Sequence, residues 1–535
     1  MRPRPSLVFV LVVVLLTAGL VGVTRWSPGP LRVGMVAAGA VGGTVPVSST
    51  TLVCPDASAP GDASATDVTL VAPVIATTSS ATVTPPTDSR AVAQPLDTLL
   101  DTGPTVTGSQ DSAAAIASLA EQGLASTATV TDTDAGPVVV RTVGTLAPGL
   151  SAVQVTTVGG GDATGLAAAA CVEPSSESWL LGVGTEIGHR PRLSIVNVEP
   201  TAIEVDVVLY GTEGPVDVPS LIGVVVPLRG EVTVELESVA PDLAELAVHV
   251  QPRTGRVVAA VRDSRVQGLS SLGVDWVPAA AAPSTRVVVP GVSGGGGQRL
   301  LHLLAPGDLD TRVGVRLLTT TGPIVPAGLE EIELTAGVVA SLDLATVLGS
   351  EVAAVELTAT EPVVAGLRVT TSATGAAEMA YTAGSTPLSG LAVAPDVRTD
   401  EGWTGRLVLS ADDRGPLGEE LSPAASAVPA RVRVDYFDAG SGELVRSDEV
   451  EVSGGSTLEV PLDPAGTDGG ATSPRASVVV TSLGGPSQRL VYGTLQLDRS
   501  GGPDAGFTIV PLLSPRLVVD VPAVRHDLST GLRAE

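Results

Sequence analysis

An internal repeat constrains this chain more than any other feature. "RLSIVN" starts at Arg192, "RLLHLL" at Arg299 and "RLVLS" at Arg406, each 107 residues after the last. A fixed period of that length has to be explained before any fold is named. A second segment follows each: "EVDVVLY" from Glu204, "RVGVRLL" from Arg312 and "RVRVDYF" from Arg431. All alternate polar and apolar residues, the period-two pattern of a sheet with one buried face. Gly-containing turns come next, then paired strands around another Gly, with Gly230 and Gly337 again 107 apart. Val257 and Val364 keep the same step inside a stretch that reads as a hairpin. Each unit is expected to close on a strand that runs into proline, at Pro290, Pro395 and Pro522.

Residues 51–175 read as a divergent first copy. Its "GLAAAACVEP" stands where the others have a closing strand, so Cys171 ends this unit and Trp179 opens the next. It also holds the one helical pattern, "SQDSAAAIASLAEQG", with Ser109 as cap and Gly123 as stop. The expected organisation is an anchor over 1–26, a tether over 27–50, the divergent unit over 51–175, then units over 176–292, 293–397 and 398–535. The last carries insertions near Asp412–Ser422 and Asp463–Ser473.

Composition supports strands. Hydrophobic residues make up 44 % of the chain but aromatics only 2 %. Cores must therefore be built from Val, Leu, Ala and Thr, and β-branched side chains suit a pleated surface. Seven or eight short strands per hundred residues is the count of a sandwich. The fold class expected is all-β: an N-terminal transmembrane anchor, then tandem β-sandwich-like repeats. The alternative is a β-propeller, with the last strand near Val521 closing a ring.

The anchor rests on Leu7–Val23, an uncharged apolar run of 17 residues behind Arg2 and Arg4. Those arginines should stay cytoplasmic and the bulk should be exported across the plasma membrane. The small-residue site at Ala38–Ala40 is separated from the run by Arg25, Trp26, Pro28 and Pro30, which favours a retained anchor. A Ser/Thr/Pro-rich stretch, Thr77–Thr87, reads as an exposed loop.

The net charge of −27 sets the chain against nucleic acid, and no basic stripe opposes it. There is no lysine, which removes Schiff-base chemistry. The four histidines, His189, His249, His302 and His526, lack metal spacing, so no metal, cofactor or catalytic residue is assigned. "TDTDAG" from Thr131 has calcium-loop alternation without the distal Glu, and an Asp-Gly turn is the plainer reading. "GVGTEIG" from Gly182 has its third glycine one position late for a dinucleotide loop. The loop residues His189 and Arg190, with Trp179, are the candidates for an interaction surface. Trp276 and Trp403 are expected to plug unit junctions, and Trp179 to fill the junction of the first and second units.

Cys54, Cys171, Pro174, Trp179, Gly182 and Gly184, followed by the repeats, resemble an actinobacterial membrane-anchored envelope family of unknown function. The resemblance implies location and fold only. Two cysteines in an oxidising compartment are expected to be bridged. Both lie at an apolar strand end beside a proline, so first and last strands of one sandwich would bring them together. The function expected is a non-catalytic, membrane-anchored scaffold or interaction protein of the cell envelope. Its partner would be another envelope protein. A cell-wall polysaccharide-binding protein is the alternative.

Overall fold

The computed structural model describes residues 43–59, 64–75, 89–99, 114–160, 163–371, 377–400, 402–414, 428–463, 474–483, 489–502 and 504–521. The apolar run Leu7–Val23, the loop Thr77–Thr87, His526 and Pro522 lie outside them. No helix among the described residues is long and apolar enough to cross a membrane. The chain forms two units, one of Met1–Val45 with Val518–Glu535 and one of Pro46–Leu517. In the first, β1 (Gly43–Pro46) pairs with the last strand, β35 (Val518–Val521), as a two-stranded ribbon.

The second unit is all-β and carries one topology four times. In the first copy, β2 (Ser49–Cys54), β3 (Ser64–Val71), β4 (Arg90–Pro95), β5 (Ala117–Leu119), β6 (Ala125–Val130), β7 (Val138–Val143), β8 (Ser151–Val158) and β9 (Gly165–Ala170) form two sheets. Their orders are β2-β7-β4-β5 and β6-β3-β8-β9.

The second copy runs β10 (Ser178–Val183), β11 (Arg192–Asn197), β12 (Ile203–Gly211), β13 (Gly214–Val216), β14 (Val224–Val226), β15 (Gly230–Glu235), β16 (Leu246–Pro252), β17 (Val258–Gln267) and β18 (Ser270–Val277). Its sheets are β10-β16-β12-β13, with β14 also on β12, and β15-β11-β17-β18.

The third has β19 (Ser284–Val292), β20 (Arg299–Leu304), β21 (Thr311–Thr319), β22 (Gly322–Ile324), β23 (Ile332–Leu334), β24 (Ala340–Asp343), β25 (Ala353–Thr370) and β26 (Met379–Ala383). The long β25 serves both sheets: its first half pairs β19 and β21, its second half β20 and β26.

The fourth has β27 (Leu391–Arg398), β28 (Trp403–Ala411), β29 (Ala430–Asp438), β30 (Leu444–Val452), β31 (Ser456–Leu462), β32 (Arg475–Ser482), β33 (Val491–Arg499) and β34 (Gly506–Pro511). Its orders are β27-β32-β29-β30 and β31-β28-β33-β34.

Arg192, Arg299 and Arg406 all lie on the strand that sits between the same two neighbours in its sheet. Each copy has a core drawn from both its sheets, which makes it a sandwich.

Three expectations are corrected. First, the proline-ending strands β19 and β27 do not close the units before them. They pair with β25 and β32, and so open the sandwiches that follow. Second, "QPRTGRVVAAV" is not a hairpin. β16 and β17 lie in different sheets, and the turn between them is an arch across the core. Third, the helical pattern is not a helix where it is described. Ala117–Leu119 is strand β5, paired with Ala91–Ala93, with Ala117 and Leu119 buried and Ser118 exposed. Alanine's helix propensity is a weak prior, and the open edge of β4 overrides it.

The copies are not beads on a string. The last strand of each, β9, β18, β26 and β34, packs beside its counterpart in the next, and β34 returns to β9. Each of these strands also gives side chains to the sandwich before it. Met379 and Tyr381 of β26 join the second core, and Phe507 and Ile509 of β34 join the third. Leu166 and Ala168 of β9 join the fourth, while Val274 and Trp276 of β18 pack on Val158 and Ala167 of the first. The result is a closed ring of four sandwiches. Ring closure, the attraction of the propeller alternative, is thus achieved with two-sheet blades and through β34, not through the segment near Val521.

Candidate functional site: the polar seam between the second and third sandwiches

Trp179 lies in β10 and His189 in the loop after it, and the structure gives them different neighbours. Trp179 is 3 % exposed and stacks on His249, ring centroids 3.7 Å apart and planes 4° from parallel. Its Nε1 donates to Glu177 Oε1 at 3.0 Å, the atom that also meets His249 Nε2 at 3.1 Å. Burial lowers the His249 pKa although Glu177 pulls it up. Around the ring lie Leu181, Ala247, Leu304, Val339 and Val364, from both sandwiches. Trp179 is therefore a plug, as expected, but in the seam of the second and third sandwiches instead of the first and second; the expectation that it forms an interaction surface is corrected. Trp276 and Trp403 are also buried, the latter with the guanidinium groups of Arg398 and Arg499 over its ring.

His189 sits in the loop after β10, half-buried, its main chain bridged to Arg265. Burial and the Arg265 charge hold its pKa down. Arg190 is exposed, and its N–H donates to Ser264 O at 2.9 Å. The glycines of "GVGTEIG" have a local explanation. A Cβ on Gly182 would lie 3.0 Å from His302 Nδ1, and one on Gly184 would lie 2.9 Å from His189 Nδ1. They let two strands and two imidazoles approach closely, a use of glycine unrelated to phosphates. "TDTDAG" is a turn, with the Asp134 N–H donating to Asp132 Oδ1 at 3.0 Å and Gly136 at φ +63°.

The seam holds a cluster that sequence reasoning missed. His302 Nε2 lies 2.6 Å from Glu245 Oε2, and Arg368 grips the same carboxylate at 3.0 and 3.1 Å while donating to Gly182 O at 2.7 Å. Burial alone would raise Glu245, but the His302 hydrogen bond and the Arg368 charge hold it down at about 2. Burial lowers the His302 pKa, so the neutral imidazole donates from Nε2 and keeps its Nδ1 lone pair. Beside this triad, Tyr381 Oη donates to Asp263 Oδ2 at 2.5 Å, and Arg265 Nε donates to the same atom at 2.9 Å. Burial and the Asp263 charge raise the Tyr381 pKa.

A histidine on a carboxylate is the outline of an acid–base pair. Substrate access is what this one lacks: His302, Asp263 and Tyr381 are each 0 % exposed. The cluster acts on the fold, joining β17 and the segment before β16 to β20, β25 and β26. The only sequence signal was the placement of His302, Asp263 and Arg368 at strand positions that otherwise alternate apolar.

Two other seams are built alike. Between the third and fourth sandwiches, Glu356 takes Arg286 at 2.9 Å and also pairs with Arg316, which reaches Asp413 at 2.6 Å. Between the fourth and first, Arg398 bridges Asp396 at 2.6 Å and Asp67 at 3.0 Å, with Arg475 on Asp67 at 2.5 Å. The first seam is apolar, with Val53, Leu96, Val139, Val196 and Val258 in one cluster. Beside it, Cys54 and Cys171 are bridged, with Cα atoms 4.3 Å apart. They join the edge strands β2 and β9 of facing sheets, where Val53 and Val172 exchange backbone hydrogen bonds.

On the ring axis the pattern inverts. Asp275 of β18 accepts from Ala168 N of β9 at 3.1 Å, Thr508 Oγ1 of β34 at 3.0 Å and Tyr381 N of β26 at 3.4 Å, so one carboxylate touches all three other sandwiches. Glu378 enters the same axis, where Gly165 and Gly506 leave the room its carboxylate fills. Burial, then the Asp275 charge, pushes the Glu378 pKa up to about 9.

No curated protein matches the chain. Among solved structures, the crystal structure of Thermotoga maritima 1070 is similar at 16 % identity over 20 % of this chain and 96 % of its own, with a TM-score of 0.18, too low to carry a fold. The family comparison reaches further: residues 124–463, from the start of β6 in the first sandwich to the end of β31 in the fourth, match the family of unknown function DUF5719, and the chain belongs to it.

Proposed function

We propose that this protein is a non-catalytic scaffold of the cell envelope, anchored in the plasma membrane by Leu7–Val23 with the ring outside. The observation that supports this reading is the use made of its chemistry-bearing side chains. The histidine, tyrosine and most buried carboxylates of the seams are spent on each other, where they hold four sandwiches in one body. Such a body presents loops and sheet faces at fixed mutual positions, as a docking platform requires. The glycan-binding alternative loses its aromatic platform, because Trp179, Trp276 and Trp403 are all buried.

The test is affinity capture with the full-length protein from envelope extracts, alongside a pull-down on purified cell-wall glycan. The expected result is one co-purifying envelope protein in fixed ratio and no retention on glycan. Retention on glycan alone, or release of a product from it, would overturn the scaffold reading. Membrane fractionation checks the anchor, and recovery of a soluble form beginning near Val41 would refute it.

A further inference from the structure

A chain of net charge −27 gathers four of its 30 basic side chains around one open cleft. The cleft, of about 580 Å³, lies along the apolar seam of the first and second sandwiches. Arg141 comes from the middle of β7, Arg229 from the turn between β14 and β15, Arg256 from the arch between β16 and β17, and Arg516 from the segment after β34. Among the described residues two carboxylates, Glu173 and Glu199, line it with them. These arginines converge from four separate segments, unlike the solvated stripe of a single strand.

Several contacts fix the cleft. Arg229 holds φ at +44°, an uncommon conformation for a side-chain-bearing residue, and its N–H donates to Glu199 O at 3.1 Å. The Cys54–Cys171 bridge ends two residues before Glu173 and ties that wall to β2. Val139 and Val198 supply apolar floor, Ser49 and Thr51 the wall beside Arg141. Arg516 meets Glu173 at 3.1 Å, but its side chain is 64 % exposed, and such a pair is easily exchanged for a better one. Arg256 is exposed and has no ion-pair partner among the described residues.

A bound oxyanion would give Arg256 a counter-charge and Arg516 a better one than Glu173. Their planar forks match carboxylate and phosphate oxygens two at a time. The volume lies within the range of small-molecule sites. We propose that this cleft binds an oxyanion, phosphate or carboxylate, carried by a polar body of about sugar size. The proposal goes beyond the scaffold reading and does not depend on it.

The test is calorimetric titration of the full-length protein with four probes: inorganic phosphate, glucose 6-phosphate, glucuronate and uncharged glucose. At least one anion is expected to bind, glucose is not, and the affinity should fall as salt rises. Phosphate-bearing probes alone would assign a phosphate source, and glucuronate alone a carboxylate. The double variant Arg256→Gln with Arg516→Gln should bind roughly tenfold or more weakly, a loss of about 1.4 kcal/mol or greater. Arg431→Gln, on an exposed pair with Glu449 in the fourth sandwich, should bind as the parent does. Failure of every anion to bind, or equal affinity in the double variant and the parent, would overturn the proposal.

Discussion

The seams and the axis bury the same kind of group and treat it oppositely. At the seam of the third and fourth sandwiches, Glu356 is 1 % exposed and faces two arginines. On the axis, Glu378 is 5 % exposed, faces another carboxylate, and has no cation beside it among the described residues. A buried carboxylate survives either by pairing or by holding its proton. The seams take the first course because guanidinium groups reach their carboxylates from neighbouring strands of the same sheet or from the facing sandwich. At the axis four closing strands meet, giving Asp275 and Thr508 among mostly small or apolar side chains; the Arg262 charge reaches Asp275, but among the described residues no guanidinium lies beside Glu378. The ring is thus charge-locked at three seams and neutral at its centre.

The comparison breaks most sharply by removing a seam carboxylate. Glu356→Ala leaves Arg286 and Arg316 with Asp412 and Asp413 as their remaining partners and should cost up to about 3–5 kcal/mol, read as a lower denaturant midpoint. A loss below about 1 kcal/mol would mean that the seam is not locked by charge. The apolar first seam should answer to its covalent bond instead. Cys54→Ala with Cys171→Ala should cost about 2–4 kcal/mol by chain entropy, with early proteolysis in the first sandwich. Equal protease resistance of both forms would remove the bridge from the account, and peptide mapping without reductant should recover it intact.

Smaller effects separate the two treatments by pH. Glu245 is held at about 2, below its unfolded 4.5, so its contribution is present above pH 4.5 and lost as pH falls toward 2. Glu378 is raised to about 9 from 4.5, so its contribution is present below pH 4.5 and lost as pH rises through 9. Glu245→Gln should flatten the acid limb of the stability curve and Glu378→Gln the alkaline limb. Glu378→Gln should also stabilise the fold at pH 7 by at most about 3 kcal/mol. A Glu378→Gln protein with an unchanged alkaline limb would put a counter-charge on the axis. The smallest effect belongs to the surface: Arg431→Gln, breaking a pair more than half exposed on both sides, should change stability by under about 1 kcal/mol.

Much of the sandwich was legible because it is local. Alternation in "EVDVVLY" and "RVGVRLL" marks strands with one buried face, and the 107-residue step marks their recurrence. Cys54 and Cys171 could be paired from their strand ends. The ring was not legible, because Leu166, Met379 and Phe507 look like ordinary core residues of their own units. Nothing in their spacing says that they fill the core of the unit before. The first strand of each sandwich was misassigned for the same reason: proline after β19 resembles an ending, and only its pairing with β25 shows otherwise. His302 read as an isolated histidine, since its partner Glu245 lies on another copy 57 positions away. Trp179 looked available because rarity resembles function, yet it was placed to fill a gap.

The handover of closing strands sets a timetable for biogenesis. β9 ends at Ala170, but the fourth core that receives Leu166 and Ala168 is complete only when β34, beginning at Gly506, has been made. Throughout that interval the first sandwich carries an unclaimed oily face, while the first, second and third are each finished by a strand from the next. A ribosome that stops early therefore releases no intact blade at the growing end, only chains with a sticky edge. Such a protein is sorted nearly all-or-none: chaperones must shelter β9 until the circuit closes, and proteases find truncated products already open.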